Sequence, residues 1–177
     1  MELKEKKILL AVTGGIAAYK TPELVRLFIK EGAEVKVIMT EAAKDFVSPL
    51  VLSVLSNNEV HSEIFVGSIW NKHVDLALWA DIFVVAPCTA NTLAKFANGV
   101  CDNLVCAVYL SLRCKVFIFP AMDCDMWEHK STIRNVVTVS NDGKIVTTPA
   151  DGFLASGLYG QGRMKEPKHI VEYITEY

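Results

Sequence analysis

The chain has 177 residues, of which 51% are hydrophobic and 21% charged, and its formal net charge is −2. This length and composition predict one globular domain over residues 1–177 with a substantial core. A net charge so near zero argues against a nucleic-acid surface, and no segment approaches the roughly 20 apolar residues of a membrane helix, so we expect a cytoplasmic protein.

Strand-like and helix-like segments alternate along the whole chain. Apolar runs predict buried strands at "KKILLAVT", "AEVKVIMT", "DIFVVAP" and "CKVFIFP", a shorter strand at "GKIVTTP" and a weaker edge strand at "EVHSEIF". Helical spacing and turn signals predict helices over 17–31, 42–56, "HVDLALWA", "ANTLAKFA", "CDNLVCAVYLSL", about 129–139 and "KEPKHIVEYITEY". Within 42–56, Pro49 marks a break or a new first turn. This alternation is typical of the α/β class, so we predict a single doubly wound parallel sheet, Rossmann or flavodoxin-like, with helices on both faces.

The five cysteines form an odd set without a CxxC pair. This pattern predicts reduced, mostly buried thiols in a reducing compartment. Because the ligand spacing of a zinc site is absent, we predict no bound metal.

Polar and glycine-rich loops follow the strands, at the edge where a doubly wound sheet binds its ligands. "TGGIAAYK" is a turn into a helix that could hold an anion, but it lacks the GxGxxG spacing of a dinucleotide site. The second strand ends in Thr40, not in the acid that grips an adenosine ribose. "APCTANT" brings Thr89, Asn91 and Thr92 to a helix start, more polar side chains than one N-cap requires. Together the loops predict a mononucleotide or other phosphate-bearing cofactor.

The segment "PAMDCDMW" follows the fourth buried strand and carries two carboxylates, Asp123 and Asp125. Asp125 and His129, four residues apart, could share a helix face and bind a metal. A third ligand is not identifiable, which favours a helix start with Asp125 near its positive end.

Two further segments allow both a functional and an ordinary interpretation. His73 opens the helix "HVDLALWA", and its position alone favours a surface or capping histidine. "GFLASGLYGQGRM" contains four glycines and is either an inert loop or a lid over a site. In a lid, Arg163 could reach a substrate carboxylate or phosphate.

Taken as a set, five motifs resemble those of the homo-oligomeric flavin-containing cysteine decarboxylases. They are "TGGIAAYK", "H-x-x-L-x-x-WAD", "AP-x-TANT-x-AK-x-A-x-G", "PAM-x-x-x-MW" and "G-x-LA-x-G-x-x-G-x-GRM", and they span residues 7–167. The resemblance implies FMN as cofactor, active sites between the subunits of a trimer or dodecamer, and a phosphorylated cysteine derivative as substrate. The implied reaction is the oxidative decarboxylation of 4′-phosphopantothenoylcysteine in coenzyme A biosynthesis.

The resemblance also implies roles for individual residues. Catalytic roles fall to His73, Asp123 and Ser156. The residues expected to contact FMN are Gly14, Gly15, Ile16, Ala17, Thr40, Phe46, Ala86, Thr89, Ala90, Asn91, Thr92 and Met122. The residues expected to contact the substrate are Asn91, Asp123, Met126, Ala155, Arg163 and Met164. Residues 152–164 correspond to the family's substrate clamp.

Two positions depart from the family pattern. Asp123 stands where the family has an amide, and an ionised carboxylate there would repel the substrate carboxylate. We therefore expect Asp123 to be protonated, paired with a cation or turned aside. Ser156 stands where many members carry the cysteine that acts as proton donor. Either another group such as Cys124 replaces it, or the reaction stops at the enethiol.

Three alternatives stay open at this point. A peptidyl-cysteine decarboxylase would release an enethiol and needs no such cysteine, so Ser156 favours it. A flavin prenyltransferase of related fold fits the motifs less well. A non-catalytic, FMN-binding regulatory subunit is opposed by His73 and the clamp. The chain is interpreted either as a monofunctional enzyme or as the decarboxylase half of a longer protein.

Overall fold

The computed structural model of the protein describes residues 1–66, 69–70 and 73–177. In chain order the strands are β1 (Lys7–Val12), β2 (Glu34–Met39), β3 (Val60–His61), β4 (Phe65–Val66), β5 (Ile69–Trp70), β6 (Ile82–Cys88), β7 (Lys115–Pro120), β8 (Ile145–Val146), β9 (Ala150–Phe153) and β10 (Tyr159–Arg163). The α-helices are α1 (Thr21–Lys30), α2 (Pro49–Ser56), α3 (His73–Trp79), α4 (Ala90–Asn98), α5 (Leu104–Ser111), α6 (Cys124–Glu128), α7 (Lys130–Asn141) and α8 (Pro167–Glu176). Short 3-10 helices cover Ile16–Lys20 and Glu41–Asp45.

A six-stranded parallel sheet forms the centre of the fold, in the order β3-β2-β1-β6-β7-β8. β1 lies in the middle, with Ile8 opposite Val35 of β2 on one side and Ile82 of β6 on the other. The chain builds one half of the sheet outward from β1 and then returns to build the other half. The order therefore reverses between β1 and β6, which confirms the predicted doubly wound sheet.

Two hydrophobic cores cover the two faces of the sheet. Alternate residues of β1 serve opposite sides, with Leu10 in the core that contains Phe28 and Phe117. Its neighbour Leu9 lies in the core that contains Phe83. Because both faces are covered by helices, the central strands must be apolar at every position, which explains their continuous apolar runs.

Two predicted helices are divided where proline interrupts backbone hydrogen bonding. The segment predicted as one helix over 17–31 is a 3-10 turn followed by α1, with Pro22 in its first turn. The segment 42–56 is a 3-10 turn followed by α2, which begins at Pro49. Proline has no N–H group, so it fits the first turn of a helix and ends the continuity of what precedes it.

The glycine-rich segment near the C-terminus is an antiparallel hairpin formed by β9 and β10. Tyr159 pairs with Phe153 and Gly160 with Gly152, and the register shifts between Gln161 and Arg163. Its glycines interrupt the alternation of apolar and polar side chains that usually identifies a strand, so the two strands of the hairpin were not predicted. No helix among the described residues is long and apolar enough to cross a membrane.

Candidate cofactor and substrate site

A cavity of about 920 Å³ lies beyond the carboxyl ends of β1 and β6. Its wall combines the loops after β1, β2, β6 and β7 with the β9–β10 hairpin. The volume falls within the roughly 300–1,000 Å³ typical of ligand-binding pockets. Because the strand order reverses between β1 and β6, the cavity lies at the position where a doubly wound sheet binds its ligand.

Thr13 joins the two loops at this reversal. Its buried Oγ1 donates a hydrogen bond to Pro87 O at 2.8 Å and accepts one from the backbone N–H of Thr89 at 3.0 Å. The side chain thus ties the end of β1 to the end of β6. Sequence reasoning missed Thr13. The signal for its role in joining the two loops is a threonine between an apolar strand and Gly-Gly.

Gly14 allows the loop after β1 to pack closely on the loop after β2. A Cβ atom at Gly14 would lie 2.6 Å from the Cβ and 2.8 Å from the backbone carbon of Ala42. At Gly15, in contrast, a Cβ would meet Thr89 Cγ2 at an ordinary 3.5 Å, and the backbone is extended with φ −159°. The first glycine is therefore required by packing, and the second leaves its backbone accessible in the cavity wall.

The first turn of α4 and the side chain of Thr40 form the polar part of the wall. Thr89 caps the helix, since its side chain accepts a hydrogen bond from the backbone N–H of Thr92 at 3.3 Å. A helix N-terminus of this kind attracts phosphate through its free N–H groups and its dipole. Thr40 Oγ1 is buried and makes no hydrogen bond within the described parts of the chain. A cofactor with phosphate and hydroxyl groups fits these donors and this orphaned hydroxyl.

Most of the predicted cofactor residues line this one cavity. They are Gly14, Gly15, Ile16, Ala17, Thr40, Thr89, Ala90, Asn91, Thr92 and Met122. The other two predicted cofactor residues, Ala86 and Phe46, do not line the cavity. Ala86 of β6 is fully buried in the core that contains Phe28, and Phe46 is 41% exposed and follows the 3-10 helix Glu41–Asp45. The structure of this chain therefore does not support a contact of either residue with the cofactor.

All the predicted substrate residues also line the cavity: Asn91, Asp123, Met126, Ala155, Arg163 and Met164. Of the three predicted catalytic residues, Asp123 and Ser156 line it as well. His73 begins α3 and lies outside the described wall of this chain's cavity.

Asp123 and Ser156, the two residues that depart from the family pattern, contact each other. The Ser156 hydroxyl donates a hydrogen bond to Asp123 Oδ2, which joins the tip of the hairpin to the start of α6. Asp123 Oδ1 accepts from the Cys124 thiol and from the backbone N–H of Asp125, both at 3.4 Å. Asp123 is thus the N-cap of α6, and Asp125 occupies the first turn of this helix, which confirms the expectation of a helix start with Asp125 near its positive end.

These bonds bear on the charge of the Asp123 carboxyl. The Ser156 hydroxyl, and after it the Cys124 thiol, hold the pKa of Asp123 below its usual range, which favours the ionised form over the protonated one. Asp123 lines the cavity and forms no ion pair with any described residue, so the contacts of this chain do not support the expected pairing with a cation or turning aside.

Cys124 is poorly suited to replace the missing proton donor. Its thiol lies outside the cavity wall, beside Gly160, whose added Cβ would approach Cys124 Cβ to 3.0 Å. Burial raises the pKa of the Cys124 thiol, and the neighbouring Asp123 carboxylate raises it further.

Further hydrogen bonds fix the hairpin on α6. The Trp127 indole N–H donates to Gln161 Oε1 at 2.9 Å, and the backbone N–H of Met122 donates to Gly162 O at 3.0 Å. Gly162 has no room for a side chain, since an added Cβ would collide with Met122 O. The hairpin is thus held against α6 and forms part of the cavity wall, and its role as a lid stays a prediction.

Two cationic side chains that were not predicted, those of Lys20 and Lys95, also line the cavity. Lys20 is 8% exposed, and its ammonium lies 2.7 Å from Glu166 Oε1. The same oxygen accepts a hydrogen bond from Arg163 Nη2 at 3.3 Å. Lys95 pairs with Asp102 at 2.7 Å. Their sequence signal was weak, because lysines in or before helices are usually solvated surface residues.

His129 has no part in the cavity or in a metal site. It is the N-cap of α7, and its Nδ1 accepts a hydrogen bond from the backbone N–H of Ser131 at 3.2 Å. The described residues contain no group of three or more His, Cys, Asp or Glu side chains that could hold a metal ion.

Comparison with known proteins places this geometry in a family. The profile of the flavoprotein family matches residues 1–177. The coenzyme A biosynthesis bifunctional protein CoaBC of Bacillus subtilis (strain 168) is 42% identical over 177 residues, which are 99% of this chain and 44% of that protein. The chain therefore spans less than half the length of this curated relative.

Two solved structures share the fold along almost the whole chain. One is a PPC decarboxylase with a Cys-to-Ser substitution, complexed with pantothenoylaminoethenethiol, with a TM-score of 0.90, 33% identity and 98% coverage of both chains. The other is the FMN binding protein AtHal3, with a TM-score of 0.86, 32% identity and coverage of 98% of this chain and 96% of that chain. On the evidence of the full-length profile match and these similarities, the chain belongs to the flavoprotein family.

Proposed function

We propose that the protein catalyses the FMN-dependent oxidative decarboxylation of 4′-phosphopantothenoylcysteine to 4′-phosphopantetheine, a carbon–carbon lyase reaction of coenzyme A biosynthesis. The observation that carries the proposal is a cavity whose wall joins the loops after β1 and β6 to the β9–β10 hairpin. The similarity to CoaBC, to a PPC decarboxylase and to an FMN binding protein supports it. The five free cysteines support a cytoplasmic location.

The residues of the wall divide the work between cofactor and substrate. Gly14, Gly15 and the first turn of α4 would hold FMN, with Thr40 offering a hydroxyl to it. FMN supplies a two-electron acceptor for oxidation at the cysteine β-carbon, after which the substrate loses its carboxylate readily. The hairpin holds the substrate against the cofactor and excludes water. Ser156 is the hydroxyl that the hairpin brings to the reacting end.

The substrate test follows directly from this assignment. The flavin-loaded protein is incubated with 4′-phosphopantothenoylcysteine, and the product is identified by mass spectrometry. We expect loss of CO2, with or without loss of two further hydrogen atoms. Unchanged substrate would contradict the proposed activity and favour a non-catalytic, FMN-binding subunit, whereas turnover of a C-terminal cysteine peptide alone would favour a peptidyl-cysteine decarboxylase.

We also propose that the active site is shared between subunits of a homo-oligomer, a trimer or a dodecamer. His73, to which the resemblance assigns a catalytic role, lies outside the wall of its own chain's cavity, which supports a site completed by a second copy. Two apolar side chains four residues apart on α2, Leu50 and Val54, are each 71% exposed. Large apolar groups clustered on a helix face are typical of subunit interfaces.

Val54→Asp is expected to dissociate the oligomer and to abolish turnover, because it places a charge in a desolvated interface. Light scattering coupled to gel filtration measures the mass of the particle. Val54→Leu is the matched control, which keeps the side chain apolar and should keep the mass of the wild type. An oligomer that survives Val54→Asp with full activity would exclude α2 from the interface.

A further inference from the structure

Two cationic side chains of the cavity wall share one acidic partner. Lys20, at the end of the 3-10 helix after β1, and Arg163, at the end of β10, both line the cavity. Glu166 Oε1 lies 2.7 Å from Lys20 Nζ and 3.3 Å from Arg163 Nη2. Glu166 itself does not line the cavity. Two positive charges against one negative charge leave this cluster with net positive charge, and both of its cations belong to the wall.

The excess positive charge is local to the base of the hairpin. Two of the described acids in the wall, Glu41 and Asp102, each pair with one lysine and are therefore balanced. The third, Asp123, contacts Ser156 near the tip of the hairpin. Arg163 ends β10 and lies at the opposite, open end of the hairpin. The wall can therefore attract an anion at this open end.

Both cations are held in place by their neighbours. Lys20 is 8% exposed, and a buried ammonium group is costly unless anions compensate it. The Arg163 side chain lies across Gly152 of β9, where an added Cβ would come within 2.6 Å of Arg163 Cδ. The glycine thus leaves the room that the arginine side chain occupies. Side chains fixed in this way lose little conformational entropy when they bind a ligand.

The length of the proposed substrate matches the distance along the hairpin. About eleven covalent bonds separate the cysteine α-carbon of 4′-phosphopantothenoylcysteine from its phosphorus atom, roughly 13 Å in an extended chain. β10 has five residues, and at about 3.4 Å per residue it spans roughly 14 Å from Tyr159 to Arg163. With the reacting end at Ser156, the substrate phosphate reaches the open end of the hairpin. The first turn of α4 serves the phosphate of the cofactor and leaves Lys20 and Arg163 for that of the substrate.

We propose that Lys20 and Arg163 form the subsite for the phosphate monoester of the substrate, so that the site prefers phosphorylated to unphosphorylated cysteine derivatives. A guanidinium group can donate two parallel hydrogen bonds to a phosphate, and an ammonium group adds a compact charge. The inference rests on the proposed function for the identity of the substrate. It deepens that function, because neither the cofactor loops nor the reacting end accounts for recognition of the substrate phosphate.

Binding of unreactive product analogues tests the proposal without turnover. S-methylpantetheine and 4′-phospho-S-methylpantetheine differ only in the phosphate, and neither has a free thiol or a carboxylate. Titration calorimetry with the flavin-loaded protein is expected to show at least about tenfold tighter binding of the phosphorylated analogue, as for a charge-assisted hydrogen bond. Arg163→Gln and Lys20→Gln should each remove most of this preference, because each leaves the remaining cation neutralised by Glu166.

Glu166→Gln separates phosphate recognition from a structural role of the cluster. This variant removes the shared carboxylate and keeps both cations, so the preference for the phosphorylated analogue should be retained or increased. If the three side chains only fastened the hairpin to the loop after β1, Glu166→Gln would weaken the binding of both analogues equally. Lys168→Gln is the matched control, since Lys168 is 77% exposed on α8 and does not line the cavity. It should retain the preference of the wild type.

Flavin content distinguishes the substrate phosphate from the phosphate of FMN. Visible absorbance should show the wild-type flavin content in Arg163→Gln, whereas loss of FMN from this variant would assign the cation to the cofactor and overturn the proposal. Equal affinity of the wild type for the two analogues, or a preference that survives in both Arg163→Gln and Lys20→Gln, would also overturn it. The same is true of a preference that is lost in Glu166→Gln or in Lys168→Gln.

Turnover separates this inference from the proposed function. The wild type should decarboxylate 4′-phosphopantothenoylcysteine with a lower KM than pantothenoylcysteine, and Arg163→Gln should reduce the ratio of the two KM values by about tenfold. Equal KM values in the wild type would overturn the inference and leave the proposed function standing. If neither compound reacts while the binding preference is present, the proposed function fails and the phosphate subsite remains.

Discussion

Ser156→Cys is expected to raise the ratio of saturated thiol to enethiol in the decarboxylated product by at least about tenfold. Returning two electrons to the enethiol requires a proton, and a thiol with a pKa near 8.5 is a far better donor than a serine hydroxyl. Ser156 lines the cavity from the hairpin, so a thiol introduced there occupies the position of the expected donor. A wild-type protein that released the enethiol would need an external two-electron acceptor, such as dioxygen, to reoxidise bound FMN.

Mass spectrometry distinguishes the two products, because the enethiol lacks two hydrogen atoms that the saturated thiol retains. Ser156→Ala is the control and should give the product ratio of the wild type. Cys124→Ala should also leave the ratio unchanged, because the Cys124 thiol lies outside the cavity wall. A wild-type product that is entirely saturated would show that Ser156 does not limit the reduction, and a shift in Cys124→Ala would restore that thiol as the donor.

Gly14→Ala is expected to lower the free energy of unfolding of the flavin-free protein by about 1–3 kcal/mol, the usual cost of overpacking. The added methyl group would lie 2.6 Å from Ala42 Cβ and 2.8 Å from the Ala42 backbone carbon. Backbone cannot move aside as the end of a flexible side chain can, so the loops after β1 and β2 must separate. Because both loops line the cavity, we also expect loss of most of the bound flavin.

Gly15→Ala provides the matched control for stability. Its methyl group would meet Thr89 Cγ2 at 3.5 Å, and its extended backbone suits any residue. Urea unfolding should therefore give nearly the wild-type value for Gly15→Ala and a clear loss for Gly14→Ala. Visible absorbance of the purified proteins measures the flavin content. Equal stability of the two variants would mean that the loops adjust to the methyl group at Gly14.

The sheet could be predicted from the sequence because its signals are local. Leu9 and Leu10 are adjacent apolar residues that pack into different cores, and a strand covered on both faces has no other place for them. Pro49 begins α2, because proline lacks an N–H group and fits the first turn of a helix. Gly99 ends α4, because glycine readily adopts the positive φ of 66° found there. Thr89 caps α4 through a contact three residues away.

The site depended on contacts between distant parts of the chain. Thr13 binds Thr89 across 76 positions, and Ser156 binds Asp123 across 33 positions. The apolar periodicity of the sequence does not indicate such pairs, because strand order and crossover direction decide which loops meet. The motifs indicated which loops carry the chemistry, but they could not show that Asp123 and Ser156 are hydrogen-bonded partners. The hairpin likewise escaped prediction, because its glycines remove the alternation that identifies a strand.

The sequence by itself determined the class of the fold, the end of the sheet that carries the site and the family to which the motifs belong. The fold class and the end of the sheet follow from apolar periodicity, from backbone limits at proline and glycine, and from residue types at strand ends, whereas the family follows from the resemblance of the five motifs. Only the tertiary structure decided which donors surround Asp123, the packing of the hairpin against α6 and the exclusion of Cys124 and His73 from this chain's cavity wall. The physical reason is that hydrogen bonds and burial set these properties, and both depend on neighbours that the chain brings together only when it folds.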